Sequence, residues 1–357
     1  RCLSGGMKMK KLLGILLMSL VILLACGEEV EKNDTFTIGL LVTLTGPAAI
    51  HGTHVAMGAE KAVAEINSEG GNLRLVIEDN MNQPKEGINA YRKVALQRPD
   101  LIFTTMSGAS ATAIPLAVEE DIPVVTSLTY ADFREYDNVY QYFQTTEDLT
   151  SIASDFFKDQ GITEIGLLSS NIEAGHALMN IAREKFEGDG LEIVGEEFYT
   201  PDDPDQKTQI FKLADKEPQA IYVFDLRPDR VVKQIKDQYD GLIVFSDTPV
   251  STNLFKTIED LDGVYAAAHE FMIKGTEENS RFEELFEGKD ANPEAGMGYD
   301  VVHLVWNAVK DGGEIPGAIT ELGEFKGLSG IVDLDSSRKP SIPIKMVLIK
   351  DKELVLV

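Results

Sequence analysis

Several polar residues in this sequence fall where an α/β sheet exposes its chemistry, at the turn from a strand into a helix. Ser107 and Ser110 sit in a run of small residues, 106–110, between an apolar strand-like segment and a helical one. Hydroxyls beside the unbonded N–H groups of a helix start suit a carboxylate. Thr129 and Tyr130 follow another apolar segment, and Asp247 follows a third, where an acid can meet an ammonium. Arg227 comes just after the segment 220–225 and either enters a cleft or stays in solvent. His51 lies in the tight run 45–52, and His51 and His54 share a helix face without a third metal ligand at suitable spacing. Plainer roles exist for each: serines commonly cap helices, and Asp247 fits an ordinary surface loop.

Other chemistry is missing. The sequence contains no G-x-x-x-x-G-K-[ST] loop, no H-E-x-x-H and no G-x-S-x-G. The nearest glycine pair, Gly296 and Gly298, opens a helix with no strand before it. An enzyme is therefore not expected, nor a cofactor or a metal. The charge balance, 33 Lys+Arg against 59 Asp+Glu, gives −26 and disfavours nucleic acid as a partner. Cys2 and Cys26 sit at one end and can staple nothing further along.

The first apolar run is an address. Lys8, Lys10 and Lys11 precede an uncharged stretch, 12–24, which is too short to cross ~30 Å of hydrocarbon comfortably as a mature span. Leu23-Leu24-Ala25-Cys26 resembles a bacterial lipobox, so residues 1–25 are expected to be a signal peptide, with Met7 or Met9 as its start. Cys26 would then be the lipidated first residue, followed by a polar tether, 26–34.

From residue 35 the apolar period switches repeatedly between strand and helix. Strands are predicted at 36–44, 73–79, 101–105 and 122–128, with helices near 55–66, 84–95 and 110–119 between them. A second series has strands at 164–169, 193–199, 220–225, 242–246 and 264–268, separated by helices at 174–187, 207–216, 229–239 and 252–260. Such alternation, twice over in a chain of 357 residues, implies an α/β fold of two doubly wound parallel-sheet lobes with a ligand cleft between them. The tail adds helices at 280–286 and 299–309 and strands at 330–334 and 344–349. The chain should therefore cross between lobes more than once.

The stretches 38–46, 58–63 and 66–67, Ser107 with Ala113, 122–125, Tyr299-Asp300 and 325–330 resemble, in order and spacing, the type I periplasmic binding proteins. The similarity is to the branched-chain amino-acid (leucine/isoleucine/valine) receptors of ABC transporters. It implies three crossovers and a ligand trapped as the lobes close. Lobe 1 would span 35–148 and 272–331, and lobe 2 would span 149–271 and 332–357. Ser107 and the loop of Leu128, Thr129 and Tyr130 would hold an amino-acid backbone; Asp247 would hold its ammonium, and His51 takes a position that often carries an aromatic. Three departures mark this chain: Ala174 and Leu226 where aromatics are frequent, and Gln144 where a hinge-side arginine is frequent. The expectation is an extracytoplasmic, lipid-anchored monomer that delivers an amino acid to an ABC permease. The alternative is a sensor or envelope-assembly lipoprotein that uses the same lobes to contact a protein.

Overall fold

The computed structural model describes residues 35–46, 48–129, 131–200, 203–225, 227–340 and 342–357, apart from the side chains of residues 173 and 174. The expected signal peptide and tether, Cys26, Tyr130 and Leu226 lie outside the described residues, as does the side chain of Ala174. Among the described residues no helix is long and apolar enough to cross a membrane.

Strands β1 (Phe36–Val42), β2 (Leu73–Asp79), β3 (Leu101–Thr105), β4 (Val124–Ser127) and β5 (Val139–Gln141) form one sheet in the order β2-β1-β3-β4-β5. The pairs β1–β3, β3–β4 and β4–β5 are parallel. Helices α1 (Ala49–Ser68), α2 (Pro84–Ala95) and α3 (Ser107–Glu119) connect the first four strands. β3 and β4 are buried along their whole length, which is why they read as unbroken apolar or β-branched runs.

After α4 (Thr146–Asp159) the chain alternates again through β6 (Glu164–Ser170), α5 (Glu173–Gly188), β7 (Glu192–Tyr199), α6 (Lys207–Ala214) and β8 (Ala220–Phe224). It continues through α7 (Pro228–Lys236), β9 (Leu242–Phe245), α8 (Thr248–Ser251) and β10 (Tyr265–His269). The order β7-β6-β8-β9-β10 repeats that of the first sheet. Each sheet has its own core: Tyr91, Ile102 and Ile114 belong to one cluster, Phe157, Phe186 and Tyr222 to another.

The tail supplies α9 (Glu277–Leu285), α10 (Pro293–Val309), α11 (Gly317–Glu321), a hairpin of β11 (Glu324–Gly327) and β12 (Gly330–Asp333), then β13 (Ile344–Lys350) and β14 (Glu353–Leu356). α10 packs along α1, whereas β13 joins β10 and β14 joins β13, both antiparallel. The second sheet is therefore parallel for five strands and antiparallel at one edge. The helix expected at 252–260 is replaced by α8 and two 3-10 turns, because Asn253 takes a left-handed conformation and ends the first of them. β5, α11, β11 and β14 are short elements that the apolar pattern did not announce.

α10 starts six residues before the expected position, with the Asn292 side chain accepting from Glu294 N–H and Pro293 in its first turn. Its approach to α1 is closer than side chains allow. A Cβ on Gly58 would fall 1.9 Å from the Ala295 carbonyl oxygen, and one on Gly298 would fall 2.2 Å from that of Val55. Further along α10, buried Asp300 accepts the N–H groups of Leu328 at 2.7 Å and Ser329 at 2.8 Å, and the Tyr142 hydroxyl at 3.4 Å. One carboxylate thus ties the β11–β12 turn and the segment leaving β5 to the same helix.

The glycine contact generates a test. Gly58→Ala should lower stability by about 1–3 kcal/mol, the usual cost of overpacking, because a backbone carbonyl must move. Urea unfolding monitored by circular dichroism measures it; an unchanged midpoint would contradict the close contact.

Candidate functional site

A cavity of about 110 Å³ is lined by residues from the carboxyl ends of strands in both sheets and from the start of α10. Met106 follows β3, Leu128 follows β4, Asp247 follows β9 and His269 ends β10. Met106 (φ 70°) and Leu128 (φ 52°) both hold positive backbone angles, a strain tolerated where the surrounding structure fixes the loop. The rest of the wall is mostly apolar, with Phe143, Val250, Met297 and Ile344 among its side chains.

The polar part of the cavity is acidic. Asp247 is buried and accepts a 3.1 Å bond from Gln144 Nε2. Glu294, on the first turn of α10, is buried too, and its Oε1 lies 2.8 Å from His51 Nδ1. Desolvation, with the nearby Glu294 charge, pushes the Asp247 carboxyl up to about 6 against the bonds from Gln144 and Ser246. Burial draws the His51 imidazole down, but the bond to Glu294 and the charges of Glu294 and Asp247 outweigh it and hold its pKa above the ordinary value. Burial takes His269 down to about 4, so its ring is neutral at pH 7. No lysine or arginine lines the cavity among the described residues. Buried Gln144 Oε1, Thr248 Oγ1, Glu294 Oε2 and His269 Nδ1 have no hydrogen-bond partner among the described residues.

Of the expected site residues, His51, Leu128 and Asp247 meet in this cavity. Ser107 and Thr129 stand one residue beyond Met106 and Leu128, their hydroxyl oxygens 2.8 Å apart. Two expectations are corrected. Ser110 turns into the first core, wholly buried, with its Oγ 3.1 Å from Thr104 Oγ1. Arg227 caps α7 and forks onto Asp229 at 3.1 and 2.9 Å, its side chain half exposed, and it does not line the cavity. The shared helix face of His51 and His54 also does not gather them: His54 bonds the carbonyls of Ile50 and Asp290 instead. Sequence reasoning missed Glu294, His269 and Thr248, and gave Gln144 no role. His269 was within reach of the strand-end rule. Glu294 looked like any acid at a helix start.

Residues 35–334 match the family described as periplasmic binding protein. The chain belongs to the periplasmic binding protein family. This binding protein is 24% identical over 330 residues to Leu/Ile/Val-binding protein homolog 1 of Brucella abortus (strain 2308), an alignment covering 86% of this chain and 88% of the relative. Its fold is that of the branched-chain amino acid transporter substrate binding protein LivJ from Streptococcus pneumoniae, solved with isoleucine: TM-score 0.77, 21% identity, coverage of 90% and 99%. A solute binding protein of an ABC transporter from Rhodopseudomonas palustris BisB5, solved with 3,4-dihydroxy benzoic acid, is as similar: TM-score 0.78, 20% identity, coverage of 91% and 96%. Structures of this fold were thus solved with an amino acid and with an aromatic acid, so the fold alone does not specify a ligand.

The raised Asp247 pKa predicts a stability cost. Ionising a carboxyl whose folded pKa is about 6 is unfavourable relative to the unfolded chain, so its penalty is fully present above that pH. The penalty fades as pH falls through 6 and is gone below about 4, the unfolded value. Asp247→Asn should therefore be more stable than wild type by roughly 1–3 kcal/mol at pH 7.5, with the gap closing toward pH 4. Denaturant titrations across that range measure it; a gap that is flat in pH would contradict the assignment.

Proposed function

We propose that this protein is the extracytoplasmic receptor of an ABC importer and that its ligand is an amino acid, captured by closure of the two lobes. The observation that carries this reading is the charge of the cavity. Two buried carboxylates, Asp247 and Glu294, face it with one histidine pair and no lysine or arginine among the described lining residues. An ammonium is attracted there, whereas a benzoate brings a carboxylate with no ammonium to meet the acids of the wall.

In the mechanism, the ligand ammonium sits against the Asp247 carboxylate and the unpartnered Oε1 of Gln144. Its carboxylate turns to the start of α3, where N–H groups of the first turn and the hydroxyls of Ser107 and Thr129 serve an anion. Asp247 follows a strand of the second sheet, and Ser107 follows one of the first. A ligand holding both therefore favours the closed arrangement over the open one by its differential contacts. Lobe 1 is taken as 35–148 and 272–331, lobe 2 as 149–271 and 332–357; the separate cores support that division. Binding and release need no covalent step or cofactor. We further propose that the protein works as a monomer anchored through Cys26, on the strength of the lipobox sequence.

Calorimetric titration with the common amino acids and with 4-hydroxybenzoate tests the ligand class. Asp247→Ala should weaken amino-acid binding by about 2–5 kcal/mol, on the order of 30-fold to several thousand-fold. Binding of 4-hydroxybenzoate with no response to any amino acid would contradict the reading. Cys26→Ser should move the protein out of the membrane fraction, and equal retention of mutant and wild type would contradict the anchor.

A further inference from the structure

The cavity wall holds a second carboxyl group, Glu294, besides the Asp247 that an α-ammonium would meet. Glu294 is 2% exposed, and while Oε1 is engaged by His51, buried Oε2 has no hydrogen-bond partner among the described residues. A buried, unbonded carboxylate oxygen is costly. Two structural roles fall short of explaining it. As an acid at a helix N-terminus Glu294 would favour the dipole equally well from the solvent side. As a partner for His51 it would need only one oxygen.

Charge settles what the second oxygen is suited to. The described lining holds two carboxyl groups, Asp247 and Glu294, and no lysine or arginine, while His51 reaches only Oε1 of Glu294, so the wall carries an excess of acidic over basic charge. A zwitterion is neutral overall and, once enclosed, leaves that excess unbalanced. A ligand with one further positive charge offsets it.

We infer that the cavity selects a dibasic amino acid, its α-ammonium on Asp247 and its side-chain nitrogen on Glu294 Oε2, in preference to a branched-chain one. The inference rests on the amino-acid reading of the site proposed above. The apolar side chains of Phe143, Val250, Met297 and Ile344 suit the methylene stem between the two nitrogens. His51 acts here as a positioning residue that holds the Glu294 carboxylate through Oε1.

Calorimetry at pH 7.5 on the purified full chain, with ornithine, lysine, leucine, putrescine and 4-hydroxybenzoate as probes, tests it. Ornithine or lysine should bind at least about 30-fold more tightly than leucine, as expected for one buried charged pair. Glu294→Gln, nearly isosteric, should remove that preference, bringing the ratio of dibasic to leucine affinity down to within about threefold. Glu294→Asp, which keeps the charge but shortens its reach, should lose part of it; melting curves of both variants check folding. Leucine binding at least as tightly as either dibasic probe, with no effect of Glu294→Gln, would overturn this inference and leave the amino-acid reading standing. Putrescine binding as tightly as ornithine would overturn it too, since the carboxylate would then contribute nothing. Binding of 4-hydroxybenzoate alone would overturn both.

Discussion

The site depends on how closely two helices approach. Gly58 and Gly298 let the backbones of α1 and α10 touch, with each glycine facing a carbonyl of the other helix. Close approach of this kind gains dispersion contacts along both helices. It also fixes the starts of the two helices relative to one another, and these starts carry His51 and Glu294. Lower on α10, Asp300 holds the β11–β12 turn and Tyr142, and a Cβ on Gly327 would fall 2.6 Å from that carboxylate. One helix therefore brings Glu294 to the cavity and braces the segment after β5.

The cavity is assembled against local stability. Asp247 is ionised at neutral pH although burial resists it, Met106 and Leu128 hold positive φ, and several buried polar atoms lack partners. Each of these costs free energy; hydrogen-bond donors entering the cavity would offset the buried charge and the unpartnered acceptors, whereas the φ angles are held by the surrounding packing. Such a site responds to ligand through the difference between open and closed states rather than through total contact. Two cores, one under each sheet, supply the stability that the cavity gives up.

Much of the fold was legible because buried parallel strands leave unbroken apolar runs, and the helices between them repeat at helical spacing. β5, three residues long, left too little pattern to detect. At 252–260 a helical composition was overruled by the left-handed Asn253. In the cavity wall, Asp247 stands where a strand end puts it, and His51 where a helix start does. Ser110 was misassigned because 106–110 contains two serines, and only packing decides that Ser107 stays near the loop while Ser110 turns to Thr104. Arg227 satisfied the same strand-end rule but found a partner in Asp229, two residues on. Glu294 was invisible because burial, rather than residue type, distinguishes it from other acids at helix starts.

We propose that the acidic cavity makes this binding protein a receptor for an amine-bearing solute. Native mass spectrometry of the protein purified without denaturation from its own cells tests it most directly, because a closed receptor retains its ligand. The retained molecule should contain a basic nitrogen and a carboxylate. A retained aromatic acid with no nitrogen would contradict it.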